Sequence, residues 1–352
     1  MNSIGNKLRL TTFGESHGKA MGGIVDGFPP NFKIDFQKVN EELEKRRPGA
    51  SIFVSRRSED DVPEFLSGIA SDGMTLGTPI GFIIRNNDCR PSDYDTENRP
   101  FRPNHADFTY IKKYGIHDFS GGGRASARET VNWVVAGALC LQWLDTKGIQ
   151  INSILSSVGD VGINDIETRL SNSSSLHPSI NISEKEQKDM ENAIMQAKKE
   201  GDSIGGKVTC IVTGMKPGIG YPVFDKLNSI LARYLMSING AKGIEFGRGF
   251  DSSRLRGSEM ADCFIHDENG ENIITGSNNS GGIQGGISNG MPIFFSVAFK
   301  PTPTINKPLS TINMKGEAIV LQSHGRHDPC IAVRAVPVVK AMTALALMDL
   351  ML

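Results

Sequence analysis

The sequence predicts an α+β fold in a single domain, on three observations. Short strand-like and helix-like stretches follow one another irregularly, without the strict βαβ alternation that would build a parallel sheet. Residues 131–144 carry no charge at all, which marks a helix buried on every side. No internal repeat is present, and the only linker-like stretch, 170–182, is short and polar. At roughly 150 residues per domain the chain of 352 could hold two, but nothing in it marks a boundary, so 1–352 reads as one unit.

The elements follow in order. Residues 7–12 and 79–85 read as strands, and 35–47 as a helix with Phe36, Val39 and Leu43 on one face, stopped by Pro48-Gly49. The core helix spans 127–147 and ends at Gly148. Ser183 with Glu186 forms a capping box for a helix that turns Met190, Ile194 and Ala197 inward and stops at Gly201. Strands are expected at 207–213 and 291–300, and amphipathic helices at 223–238 and 337–350. The segment 86–104 has almost nothing to bury, which suits a lid, a binding loop or disorder.

Composition narrows the function classes. Lys+Arg 38 against Asp+Glu 39 leaves a net charge of -1, which argues against wholesale nucleic-acid binding. No apolar run approaches the ~18 residues of a membrane helix, and the first residues lack the apolar core of a signal peptide, so a cytoplasmic location is expected. Five cysteines, Cys89, Cys140, Cys210, Cys263 and Cys330, contain no C-x-x-C pair and read as reduced thiols. The 39 glycines, about 11% against a usual ~7%, point to places where backbone must approach closely.

Local clustering supplies what net charge does not. Arg46, Arg47, Arg56, Arg57, Arg85, Arg90, Arg99, Arg102, Arg124 and Arg128 crowd one third of the chain, a signature of anion binding or of a solvated charged face. Gly121-Gly122-Gly123-Arg124 at the mouth of the core helix would form an anion nest, or a plain flexible turn. Residues 281–290 are glycine-dense yet match no nucleotide fingerprint. His17, His105 and His327 lie in polar, glycine- or proline-flanked settings suited to acid–base work. No histidine pair has metal-ligand spacing. Ser16 and His17, if extended, would point oppositely and so would not form a nucleophile–base pair.

Three segments together carry a resemblance. Gly14-Glu15-Ser16-His17-Gly18, Gly121 through Thr130, and Gly325-Arg326-His327-Asp328-Pro329-Cys330 resemble the signature segments of chorismate synthases. Met236-Ser237-Ile238-Asn239 with Lys242-Gly243-Ile244-Glu245, residues 281–290 and Lys300-Pro301-Thr302 extend the similarity over essentially the whole chain. The resemblance implies helices layered with antiparallel sheets, a homotetramer, and loss of phosphate from 5-enolpyruvylshikimate 3-phosphate supported by reduced FMN. It implies His17 at the departing phosphate, His105 at the flavin, and Asp328 with Ser16 in a proton relay. Arg46 and Arg47 become substrate contacts. Arg124, Ser126, Asn239, Gly285, Lys300, Thr302, Thr304 and Arg326 become flavin contacts. Ile52, where the family commonly has a further arginine, and Pro303, where some members have a hydroxyl residue, depart from the pattern. The missing cation and the lack of a dinucleotide fingerprint favour an external source of reduced flavin over NADPH oxidation by the chain itself. A non-catalytic binder of phosphorylated anions and a flavin reductase are the rival classes; neither accounts for the histidines and Asp328.

Overall fold

The computed structural model describes residues 1–47, 61–86, 99–117, 122–163, 165–173, 175–178, 182–267, 269–322 and 328–352. Arg326, His327, Ile52, Arg56, Arg57, Arg90, Cys89, Gly121 and positions 87–98 of the polar segment 86–104 lie outside the described residues.

Alternating apolar residues in the first part of the chain form one antiparallel sheet. Its strands are β1 (Ser3–Ile4), β2 (Arg9–Phe13), β3 (Ala20–Asp26), β4 (Glu64–Phe65) and β5 (Ile80–Arg85), in the order β1-β2-β3-β5-β4. A second antiparallel sheet orders β7 (Val161–Gly162), β6 (Gln150–Val158), β8 (Gly206–Thr213), β14 (Ile293–Phe299) and β9 (Ala241–Phe246). The hairpins are β10 (Phe264–His266) with β11 (Ile273–Thr275), β12 (Ile283–Gln284) with β13 (Ile287–Ser288), and β15 (Leu309–Ile312) with β16 (Ala318–Leu321). Among the described residues every strand pairing within the sheets is antiparallel, in line with the α+β expectation.

The helices are α1 (Phe36–Arg46), α2 (Asp107–Tyr114), α3 (Thr130–Asp145), α4 (Ile166–Ser171), α5 (Glu184–Lys199), α6 (Leu227–Leu235), α7 (Gly257–Met260) and α8 (Ala332–Met351). Asp35 caps α1 by accepting from the N–H groups of Gln37 and Lys38, and Val39 and Leu43 are buried. The capping box of α5 forms as expected, and Met190, Ile194 and Ala197 face inward.

Helices α3 and α8 pack against each other between the two sheets, α3 against β3 and α8 against β6 and β8, with α1 touching both. The absence of charge in α3 is the sequence's counterpart of that double-sided burial. Small residues set the spacing: a Cβ at Gly137 would lie 2.4 Å from the Ala341 Cβ, 2.6 Å from its Cα and 2.7 Å from its carbonyl oxygen. The end of α8 also anchors the start of the chain. The buried Asp349 carboxylate accepts the backbone N–H groups of Asn6, Lys7 and Leu8 at 2.8–3.1 Å and the Tyr234 hydroxyl at 3.1 Å.

Three helices start three or more residues away from expectation. Residues 123–129 form two 3-10 turns, so α3 opens at Thr130 rather than at 127. Helix α6 opens at Leu227 because that N–H donates to the Gly286 carbonyl, which holds the preceding segment in another conformation. Helix α8 begins at Ala332 and carries Pro337 inside it; burial of Ala332 and Ala335 outweighs the lost intrahelical bond. Among the described residues, no helix is long and apolar enough to cross a membrane.

Gly137→Ala should destabilise the protein by about 1–3 kcal/mol, because the added methyl meets backbone atoms that cannot rotate away, and this exceeds the gain in helix propensity. A lower urea midpoint at unchanged m value is the expected result; equal or higher stability would show that the two helices separate at little cost.

Candidate active site

The start of α3, the start of α8 and the end of α1 converge on a cavity of about 440 Å³. The sequence-predicted residues His17, Arg46, His105, Ser126, Asn239, Lys300, Thr302, Thr304 and Asp328 all line it. Ser16, Arg47, Arg124 and Gly285 do not line it, and Arg326 lies outside the described residues.

His17 sits in the loop between β2 and β3. The Gly18 N–H donates to the Glu15 carbonyl at 3.0 Å, closing a turn around Ser16 and His17. The expectation that these side chains diverge therefore fails: in the turn the Ser16 hydroxyl lies 3.1 Å from His17 Nδ1. The alternation rule holds for extended backbone, and this backbone is not extended. His105 reaches the cavity from the segment before α2, with its Nε2 2.6 Å from the Thr304 hydroxyl. Lys300 donates to the Asn104 carbonyl at 2.6 Å, tying the end of β14 to the same segment. Burial, with Lys242 nearby, holds the Lys300 ammonium below the usual lysine range.

The arginine cluster is largely matched by carboxylates. Arg46, 1% exposed, donates to Asp61 at 2.8 Å and to the Thr130 hydroxyl at 3.0 Å, and Asp61 also pairs with Arg128. Arg124 turns away from the cavity to Glu129 at 2.7 Å and to Thr12 and the Gly14 carbonyl. Helix α3 begins after the glycine turn, and the guanidinium joins that turn to the first sheet through the Thr12 carbonyl. Burial raises the Glu129 carboxyl above its usual range, against the opposing pull of Thr12 and Arg124. Arg47 lies 3.9 Å from Glu44 at the end of α1. Gly285 adopts a positive φ in the turn joining β12 to β13, a structural use of its backbone freedom.

Several functional neighbours were not singled out from the sequence. Arg334 donates to the Asp328 carboxylate at 3.0 Å and to the Arg46 carbonyl at 3.1 Å, bringing α8 and α1 together at the cavity. Asp107 accepts from the Arg102 guanidinium at 2.8 and 2.6 Å, a bidentate clamp. Burial pushes the Asp107 carboxyl up, but the hydrogen bonds and charge of Arg102 outweigh it and hold it below the usual range. Signals for two of these existed: Asp107 lies two residues after His105, and Asp61 closes the acidic run Glu59-Asp60-Asp61 that follows Arg56-Arg57.

The protein-family profile described as chorismate synthase matches residues 8–352. The chain belongs to the chorismate synthase family. It is 47% identical over 349 residues to the chorismate synthase of Christiangramia forsetii, covering 99% of this chain and 96% of that one. The chorismate synthase of Parabacteroides distasonis is 48% identical over 356 residues, covering 100% and 98%. A crystal structure of chorismate synthase superposes with a TM-score of 0.76 at 30% identity, covering 99% of this chain and 92% of the other. The cavity is thus the candidate active site of a chorismate synthase family member, on the fold that the family resemblance implied.

A folded-state pKa held below its unfolded value contributes stability at neutral pH that is lost as pH falls through the folded value. Asp107→Asn should therefore lower the urea midpoint at pH 7, with the gap to wild type closing as the pH drops below the ordinary carboxylate range, near 3.8. A gap independent of pH would show that the Arg102–Asp107 pair contributes through packing alone.

Proposed function

We propose that the chain, acting as one catalytic unit over 1–352, converts 5-enolpyruvylshikimate 3-phosphate to chorismate with reduced FMN bound in the cavity. The observation that carries this reading is the convergence of His17, His105 and Asp328, each from a different segment, on a single cavity that also presents Arg46, Arg102, Lys300 and Arg334. In the elimination a ring C–H bond breaks to give a proton, the C–O bond to phosphate breaks with its electron pair, and a C=C bond forms, with no net redox change.

The residues present suit a flavin. The Asn239 side chain donates to the Ala125 carbonyl at 2.9 Å, while its buried Oδ1 has no partner among the described residues and can accept an N–H. Ile238, Ile331, Ala335 and Val338 offer an apolar wall for a flat ring, with Ser126, Thr302 and Thr304 supplying hydroxyls and Lys300 a cation. Reduced flavin would supply electron density that no side chain can.

The chain's own residues have distinct tasks. His17 protonates or neutralises the departing phosphate, and the Ser16 hydroxyl on its Nδ1 orients the ring. His105, held by Thr304, lines the cavity and would contact a flavin bound there. Asp328, held by Arg334, serves the relay that removes the ring proton. Lys300, tied to a backbone carbonyl rather than a carboxylate, sets a fixed positive charge against substrate carboxylates and the phosphate, while Arg46 and Arg102, paired with Asp61 and Asp107, hold donors in place at the cavity wall; fixed charge stabilises developing negative charge without reorganisation. The reading includes a homotetramer in the cytoplasm that receives flavin reduced elsewhere.

An anaerobic assay of phosphate release with photoreduced FMN tests it. His17→Ala and His105→Ala should each reduce kcat by roughly 10²- to 10⁴-fold, the usual worth of a positioned proton-transfer group. Asp328→Asn should retain flavin binding and lose turnover. Near-normal activity in any of the three removes that residue from the mechanism, and wild-type protein that binds substrate without releasing phosphate leaves the non-catalytic anion binder. NADPH with oxidised FMN should support almost no turnover by pure protein; sustained chorismate formation would mean that the chain reduces its own flavin.

A further inference from the structure

The loop that carries His17 has no regular structure of its own, so something must hold it. Strand register supplies the candidate. Ala20 of β3 pairs with Arg85 of β5, which sets Asn86 beside the end of the loop, and the Asn86 N–H donates to the Lys19 carbonyl at 3.2 Å. The Asn86 side chain then reaches back into the turn. Its Nδ2 donates to the Gly18 carbonyl at 2.8 Å and to the Glu15 carbonyl at 3.3 Å, the two residues that bracket Ser16 and His17. Its Oδ1 accepts from Arg128 Nε at 3.2 Å and Nη2 at 3.1 Å. Arg128 in turn pairs with the buried Asp61, which also holds Arg46 of the cavity wall.

We propose that Asn86 is a positioning residue for His17, linking the histidine turn to the Asp61–Arg46–Arg128 charge cluster behind the cavity. Carbonyl oxygens on one side and a guanidinium on the other allow only one orientation of the carboxamide, and that orientation uses both of its N–H groups and both acceptor sites. No other uncharged side chain of this size offers two donors and an acceptor in one plane. Aspartate would present acceptors to carbonyl oxygens, and alanine would keep the backbone bond to Lys19 but lose the side-chain tie to Glu15, Gly18 and Arg128. Neither Asn86 nor Arg128 lines the cavity, so any effect on turnover passes through the groups they hold.

The inference rests on the proposed role of His17, and its test separates the two. Asn86→Ala should lower kcat for anaerobic phosphate release by roughly 10- to 100-fold, the scale expected when a reacting group is displaced by about 1 Å, with KM little changed. In a His17→Ala background the same substitution should cost less than about twofold, because a group that acts through His17 has nothing left to position. Asn86→Ser, which retains one donor, replaces the alanine variant if the latter fails to fold. A second readout is independent of turnover: the His17 imidazole NMR signal, assigned by its loss in His17→Ala, should shift and broaden in Asn86→Ser. Losses that multiply in the double variant, or a His17 signal unmoved by Asn86→Ser, would each overturn the proposal. Inactive wild-type protein would defeat the proposed reaction, and the NMR comparison would still decide the role of Asn86.

Discussion

Everything about the site depends on how closely α3 and α8 approach. Gly137 facing Ala341 lets two backbones meet where larger side chains would hold them apart, and the sheets then close over both helices. The starts of these two helices deliver the cavity's floor: Thr130 from one, Arg334, Ala335 and Val338 from the other. A change in their spacing would displace Asp328 and Arg46 relative to each other, because Arg334 bonds to both. Asp349 extends the same helix pair to the first sheet by capturing three successive N–H groups of the chain's first segment.

Charge is used in two ways around that frame. Asp61, Asp107 and Glu129 are buried carboxylates that convert part of the arginine cluster into scaffold, since a buried charge is tolerated only when paired and hydrogen-bonded. Breaking such a pair leaves an uncompensated charge, so these contacts fix geometry more than they add stability. Lys300 belongs to a different category. It is tied through a backbone carbonyl rather than a carboxylate, and its charge is left to act on the cavity.

The legible parts of the chain are those governed by local chemistry. The capping box of α5, the apolar face of α1 and the uncharged run of α3 each declared themselves through spacing or composition. The motif residues His17, His105, Asn239, Lys300 and Asp328 were visible as residues, and they meet in one cavity. Boundaries were less legible where a distant partner intervened, as when the Gly286 carbonyl delays the start of α6. The misreading of Ser16 and His17 has the same origin: adjacency implies divergence only if the backbone is extended, and the turn is set by the Glu15–Gly18 bond and by Asn86 across the sheet.

What the sequence determined by itself was therefore the α+β class, the buried helix, the family resemblance and nine of the residues that line the cavity. Those features depend on composition, periodicity and motif, all of which are properties of neighbouring residues. Only the tertiary structure decided which arginines line the cavity and which carboxylate each one pairs with, that Arg334 partners Asp328, and that Asn86 grips the histidine turn. Pairing of that kind joins residues far apart in the chain, such as Arg46 with Thr130 and Asn86 with Arg128. It depends on strand register and helix spacing, which no local pattern encodes.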